Sequence, residues 1–139
     1  MARQLTDYVD ASDVQYLAMG VGFGVAAWFL RHVLFLGQHI VFYSLLLAAS
    51  CGVGLGGGLA QRSQPVLVEE LAANGSVFFF AFLSQAWSPK WLVLGFALHA
   101  LWHAVHHAGL KGAKGQARFL APLGMGLEGA LALLIYLYA

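Results

Sequence analysis

Residues 38–60 read QHIVFYSLLLAASCGVGLGGGLA, and this run contains no Asp, Glu, Lys or Arg. A helix needs ~20 mostly apolar residues to cross the ~30 Å hydrocarbon core of a bilayer. The whole chain shares this character, because 60% of its 139 residues are hydrophobic and 9% are charged. A soluble domain carries about 25% charged residues. The sequence therefore predicts an all-α integral membrane protein.

Four further segments have the length and apolar character of a membrane span. Pro65 and Pro89 mark the start of two of them, because proline is favoured in the first turn of a helix. A capping box of Ser12 and Gln15 is expected to open the first helix near Asp13. The sequence predicts one domain, residues 1–139, built as a bundle of about five transmembrane helices at about 14–33, 38–60, 65–87, 89–109 and 118–138.

The distribution of Lys and Arg predicts the orientation of these spans. With five spans, one side of the membrane holds five basic residues, and the other holds Arg31 and Lys90. Cytoplasmic loops are enriched in Lys and Arg. We therefore expect a bacterial inner (cell) membrane protein with its N-terminus in the cytoplasm and its C-terminus outside, where its belt aromatics also fall. The five basic residues are Arg3, Arg62, Lys111, Lys114 and Arg118; the aromatic residues are Trp28, Trp87, Trp91, Tyr136 and Tyr138.

Two glycine clusters predict close helix packing. Gly20 and Gly24 lie about one turn apart on the first helix, and Gly54 and Gly58 have the same spacing on the second. Small residues at this spacing let helix backbones approach each other in a membrane. We expect the first two helices to pack tightly along these glycines; the alternative is that the thin backbone leaves room for a lipid-like substrate.

The fourth span contains the segment LHALWHAVHH, residues 98–107, with four histidines. At about 100° per residue these histidines fall on one face of the helix. Polar residues are costly inside a bilayer and usually mark a functional site, and neutral imidazole is the commonest metal ligand in proteins. The pattern predicts a metal site; a hydrogen-bonded or proton-relay cluster and a haem site are the alternatives. The histidines are His99, His103, His106 and His107.

Glu128 is the acidic residue expected to lie deepest in the bilayer. It comes about ten residues into the fifth helix, which corresponds to ~15 Å, or half of the hydrocarbon thickness. His99 lies equally deep in the fourth helix, which is an antiparallel neighbour. A carboxyl group there must stay protonated or meet a positive charge. We predict that Glu128 is a ligand or hydrogen-bonding partner of His99 and His103, and a candidate catalytic residue.

Glu69 and Glu70 open the third helix at the depth of His106 and His107. Adjacent residues point about 100° apart, so only one of the pair is expected to face the bundle. We prefer Glu70 as a metal ligand or catalytic group, because Asn74 continues its polar stripe one turn further on. The alternative for both is the favourable position of a carboxylate near a helix N-terminus.

The spacing H-x-x-x-H-x-x-H-H over residues 99–107 resembles the histidine boxes of membrane oxygenases, the fatty-acid desaturase, hydroxylase and alkane-hydroxylase families. This resemblance covers one helix segment and implies oxygen chemistry at two metal ions, usually iron. Those families spread at least eight histidines over several helices of longer chains, whereas this chain has six. A complete ligand set would therefore need carboxylates, supplied by Glu128 and by Glu69 or Glu70.

The layout of the second half of the chain also resembles a group of small bacterial membrane proteins of unknown function. That group has a Glu in a middle span, a H-x-x-W-x-x-x-H-H segment, and an acidic residue in the last span. His103 departs from the pattern, since an acidic residue stands there in the group. The matching positions here are Glu70, His99, Trp102, His106, His107 and Glu128.

We predict an intramembrane metal-binding protein, a metalloenzyme of oxygenase or hydrolase type that acts on a lipid-soluble small molecule. Histidine and carboxylate ligands suit iron or zinc. A serine or cysteine nucleophile is not predicted, because Ser50 and Cys51 are assigned to a depth without a histidine.

Two alternatives remain open at this point. The chain is an accessory, haem- or metal-bearing subunit of a larger membrane complex, or it transports a metal ion or protons. Membrane lipid is the expected surrounding, and a homo-oligomer is compatible with the sequence. Nucleic acid is not an expected partner, because the formal net charge is +1 and the basic residues are dispersed.

Overall fold

The computed structural model describes residues 10–34, 37–61, 63–109 and 119–138, and within these ranges the chain forms five α-helices. The all-α prediction is therefore confirmed. The largest difference from a predicted boundary is three residues, at the start of the first helix (14 against 11). The helices are α1 (Ala11–Leu34), α2 (His39–Ala60), α3 (Gln64–Ala86), α4 (Lys90–His107) and α5 (Leu120–Tyr138).

Four of the helices in the described ranges, α1, α2, α3 and α5, are long and apolar enough to cross a membrane. This confirms a membrane protein. The 18-residue α4 is not among them, since its four histidines and Lys90 lower its apolar content. A crossing by α4 stays a prediction. The predicted orientation also stays a prediction, because Arg3, Arg62, Lys111, Lys114 and Arg118 lie outside the described residues.

The start of α1 differs from the predicted capping box. Asp10 precedes the helix, and its carboxylate accepts a hydrogen bond from the Ser12 backbone N–H at 2.6 Å. The Asp13 carboxylate accepts one from the Asp10 backbone N–H at 3.0 Å. This reciprocal pattern is a capping box shifted toward the N-terminus. The assignment to Ser12 and Gln15 was wrong, and the helix begins earlier because an aspartate satisfies its free N–H groups.

The central helix of the bundle is α4, which packs between α3 and α5. The outer helices follow on either side: α1 packs along α5, and α2 packs along α3. Contacts between α1 and α2 are few, and the described backbones of α2 and α5 stay apart. The arrangement leaves a cleft between α2 and α5, and α4 lies behind it.

Glycines do create close helix contacts, but not between the first two helices. A Cβ at Gly20 would overlap the Leu123 carbonyl oxygen of α5, and one at Gly24 would lie 2.7 Å from the Leu127 carbonyl oxygen. The predicted close approach is thus confirmed, whereas the predicted partner was wrong. Gly20 and Gly24 face α5, because α1 packs along α5 and makes few contacts with α2.

The two ends of the bundle differ in chemistry. We call the end where α1, α3 and α5 finish the aromatic end, since Trp28 packs against Tyr138 there. We call the other end, where α4 finishes, the histidine end. Between the aromatic end and the middle of the bundle, the interior is a closely packed apolar core. Its fully buried members include Leu47, Leu92, Phe96 and Leu131.

Candidate metal centre

Buried polar side chains gather where α3, α4 and α5 meet. Glu70 and Asn74 of α3 are 0% exposed, and His99 of α4 and Glu128 of α5 are each 1% exposed. Buried polar groups of this kind are costly unless they are paired. Each of these four side chains is hydrogen-bonded to another member of the group.

His99 joins the two neighbouring helices through both of its ring nitrogens. Nδ1 lies 2.7 Å from Oε1 of Glu128, and Nε2 lies 2.9 Å from Oδ1 of Asn74. The antiparallel arrangement of α4 and α5 brings His99 and Glu128 to the same depth, as their helical positions predict. The expected pairing of Glu128 with His99 is present.

Asn74 determines which nitrogen of His99 carries a proton. The Asn74 Nδ2 group donates to Glu70 Oε2 at 2.8 Å and to the Glu70 carbonyl oxygen at 3.0 Å. The amide must therefore turn Oδ1 toward His99, and an amide oxygen only accepts hydrogen bonds. It follows that Nε2 of His99 bears the hydrogen. Nδ1 is then the nitrogen that faces Glu128, and one proton between Nδ1 and Oε1 completes their 2.7 Å hydrogen bond. A metal ion bound at Nδ1 would replace that proton.

Glu70 anchors a second part of the network at the histidine end. Besides Asn74, its Oε2 accepts a hydrogen bond from Trp102 Nε1 at 3.2 Å. Its Oε1 lies 3.0 Å from His106 Nε2, although the two groups are not aligned as a hydrogen bond. The predicted meeting of Glu70 with His106 is therefore present as a close contact.

His99, His103 and Glu128 form a group that could hold a metal ion, named here the metal-ligand group, because each offers one ligand atom within 4.8 Å of the others. An ion bound at ~2.0–2.2 Å to nitrogen and oxygen would hold such atoms ~3.4 Å apart in a tetrahedral site. Small side-chain rotations thus bring the three donors onto one ion. His99 and His103 are one turn apart with their ring centroids separated by 4.8 Å, so both rings face the same side of α4.

Several buried atoms around this group have no hydrogen-bond partner among the described residues. Glu128 Oε2 is 3.7 Å from His103 Nε2, which is too long for a hydrogen bond. Leaving a buried polar atom unpaired costs about 1–3 kcal/mol. Unpaired buried donors and acceptors on residue types that bind metals are compatible with a metal site. The unpaired atoms here are His103 Nδ1, Glu128 Oε2, Glu70 Oε1, and both ring nitrogens of His106. The residues present thus fit a metal ion.

Four of the predicted ligands lie outside this group: His106, His107, Glu69 and Glu70. His107 Nε2 lies 3.6 Å from Oδ2 of Asp13, which is buried at the start of α1. Glu69 occupies a half-buried position next to Glu70, about 100° around α3. The preference for Glu70 over Glu69 therefore agrees with the packing, and His107 contacts α1.

Glycines on α2 and α5 provide the space that the site occupies. A Cβ at Gly124 would lie 2.5 Å from the His103 ring, and one at Gly54 would lie 2.6 Å from Asn74 Oδ1. A Cβ at Gly58 would lie 2.9 Å from Glu70 Cγ. These three glycines therefore accommodate the polar side chains of the network. Tight backbone packing of α1 on α2 therefore does not describe Gly54 and Gly58. Gly54 also lines a cavity, so the alternative of room for a substrate stays a prediction.

A cavity of about 180 Å³ lies beside the metal-ligand group, between α2 and α5. His103 and Glu128 line it together with Ser50 of α2. The placement of Ser50 away from the histidines was therefore wrong. Ser50 lies about 17 Å along α2 and His103 about 20 Å along α4 from the aromatic end, at 1.5 Å per residue. Cys51, in contrast, belongs to the apolar core.

Four residues in or beside the network were not predicted as site residues. Asp13 was treated as part of a helix start, Ser50 was assigned to another depth, and Trp102 was noted only as a pattern position. Asn74 was recognised as a polar residue on the face of Glu70, but not as the link to His99. Its signal was an amide side chain one turn from a carboxylate inside a membrane helix.

Comparison with known proteins adds no relative. No family model matches the chain, and neither a curated protein nor a solved structure is found to match it. The chemistry of the site therefore rests on its own geometry.

Proposed function

We propose that this chain is an intramembrane metalloenzyme that acts on a lipid-soluble substrate, with His99, His103 and Glu128 as its metal ligands. The observation that carries the proposal is the convergence of these three ligand atoms in the bundle interior. Ionisable groups inside a membrane bundle are costly and generally serve a function.

The ligand set favours zinc or iron. Two imidazoles and one carboxylate with an open position are found at catalytic zinc, and also at non-haem iron that reacts with oxygen. A bound ion of either kind supplies Lewis acidity, and iron adds oxygen chemistry. The chain itself orients the ligands. Asn74 fixes the tautomer of His99 by accepting a hydrogen bond from its Nε2, and Glu70 orients Asn74 by accepting a hydrogen bond from its amide. Glu70 thereby acts as a positioning residue in this proposal, while Glu128 remains the candidate catalytic carboxylate.

An enzyme is favoured over a transporter by what surrounds the site. Toward the aromatic end, the interior beyond His99 and Glu128 is filled by Phe96, Leu92 and Leu131, each at most 1% exposed. An ion or proton pathway needs polar groups or water along its length. The cavity next to His103, in contrast, opens to the side of the bundle, where a lipid-soluble molecule arrives.

Elemental analysis of the protein purified in detergent tests the proposal. We expect about one zinc or iron ion per chain, lost in His103→Ala and in Glu128→Ala. His32→Ala is the matched control. His32 is exposed at the aromatic end, away from the ligand group, and its ring is hydrogen-bonded to Trp28 and Arg31. Helical content and elution volume establish that each variant is folded. Folded wild-type protein without a metal ion, or equal metal content in all variants, would overturn the metal centre.

The accessory-subunit alternative is tested with the same preparations. An enzyme that works alone keeps its metal ion as a purified chain. A subunit that completes its site with a partner loses the ion on purification and regains it with native membrane extract. Recovery in the extract but not in buffer with added metal would favour the subunit.

A further inference from the structure

The cavity between α2 and α5 has the dimensions of a small hydrocarbon site. Its volume is about 180 Å³, and a cavity of about 150 Å³ is enough to hold benzene. Its walls are largely apolar, with Val53 on α2 and Leu123 and Leu127 on α5. Val53 is 62% exposed, so it lies at the mouth, on the lipid-facing surface of the bundle. This volume suits a segment of one hydrocarbon chain.

The floor of the cavity is polar. Glu128 lines it, is 1% exposed, and has its Oε2 buried without a hydrogen-bond partner among the described side chains. Ser50 contributes a hydroxyl group from the opposite wall. An occupant that donates a hydrogen bond to Glu128 removes the cost of an unpaired buried oxygen. A metal ion shared with His99 would take Oε1, the Glu128 oxygen that faces His99 Nδ1, which leaves Oε2 to accept such a bond.

We propose that this cavity binds a single-chain aliphatic or isoprenoid alcohol, with the hydroxyl end innermost at Glu128 and Ser50 and the chain leaving past Val53. The inference rests on the proposed function, for which it names the substrate class. The acyl chains of a phospholipid lack a hydrogen-bond donor, so they leave the floor of the cavity unsatisfied. An alkane lacks one for the same reason.

Photolabelling in phosphatidylcholine nanodiscs tests this inference. The probe is a saturated long-chain alcohol with a diazirine a few carbons from the hydroxyl group. Two matched probes carry the same diazirine, one in an alkane and one in the acyl chain of phosphatidylcholine. Peptide mass spectrometry then compares labelling at Val53, Leu123 and Leu127 with labelling at Phe23, a 54% exposed residue on α1.

We expect the alcohol to label the cavity residues about tenfold more than either matched probe, as one additional buried hydrogen bond predicts. Val53→Trp should abolish this excess by filling the mouth. Val41→Trp is the matched control, because Val41 lies on the same helix, is 42% exposed and does not belong to the cavity lining. Both valines are exposed, so both variants should fold.

The outcomes separate this inference from the metal centre, because the metal content of every preparation is measured alongside the labelling. Equal labelling by the three probes, or an excess that survives Val53→Trp, overturns the alcohol site even if the metal ion is present. A stronger signal from the phosphatidylcholine probe shows that a bilayer acyl chain fills the cavity, and this also overturns it. Selective labelling of a metal-free chain supports the binding site while the proposed enzyme fails.

Discussion

The two halves of this bundle are built on opposite principles. Toward the aromatic end, Leu47, Leu92, Phe96 and Leu131 fill the interior with apolar side chains in direct contact. Toward the histidine end, carboxylates, imidazoles and an amide occupy the interior, in space that glycines on α2 and α5 provide. In lipid, helices associate through close packing and interhelical hydrogen bonds. Apolar packing prevails in the interior of one half and hydrogen bonds prevail in the other, although Ser44 of α2 and Ser84 of α3 also hydrogen-bond to each other in the apolar half.

The difference assigns a task to each half. A closely packed apolar interior gives rigidity but offers nothing for chemistry. The polar half holds His99 through two directed hydrogen bonds, to Glu128 and Asn74, while leaving buried atoms of His103 and Glu128 unpaired. Packing in the apolar half thus fixes the positions of the helices that carry the polar side chains. Variants that disturb one half without the other test this division.

The largest expected effect is on stability, from the apolar half. Phe96→Ala should lower the free energy of unfolding by about 3 kcal/mol, because it leaves a cavity in a fully buried position. Metal content per folded chain should be unchanged. Unfolding in mixed detergent micelles measures the loss, and Phe79→Ala, at a position 55% exposed to lipid, is the control with a much smaller effect. Loss of the metal ion from folded Phe96→Ala protein would contradict the division between the halves.

An intermediate effect is expected on metal affinity, from the polar half. Gly124→Ala places a Cβ 2.5 Å from the His103 ring, so the ring must move from its position beside Glu128. Displacing a ligand in this way should weaken metal binding about 10- to 100-fold, comparable to losing an orienting hydrogen bond. Competition with a chelator measures the affinity. The control is Gly129→Ala on the same helix, where an added Cβ meets no described atom within 4 Å. Equal affinities of the two variants would argue against His103 as a ligand.

The smallest effect is expected where the polar half meets α1. His107→Gln removes the contact in which His107 Nε2 lies 3.6 Å from Asp13 Oδ2. A partly exposed ion pair contributes about 1 kcal/mol or less, so stability should fall slightly. Metal affinity should stay at the wild-type value, since His107 is not in the ligand group. If chelator competition showed a clear loss of affinity in His107→Gln, the site would extend further toward the end of α4.

Features that depend on one helix at a time could be predicted from the sequence. Apolar length and composition determine a membrane helix, because the backbone must satisfy its own hydrogen bonds in lipid. Helical periodicity places His99 and His103 on one face of α4. Glu128 could be matched to His99 because a short connection makes α4 and α5 antiparallel, so depth follows from counting residues.

Features that depend on the order and rotation of the helices were decided by the tertiary structure. Gly20 packs on α5 instead of α2 because α1 lies beside α5, which no local pattern reveals. Asn74 reaches His99, and Ser50 reaches the cavity of His103, because α3 and α2 turn those faces inward. Residue composition thus determined which chemistry the interior would contain, and helix packing decided which atoms meet. Packing depends on surfaces that lie far apart in the chain.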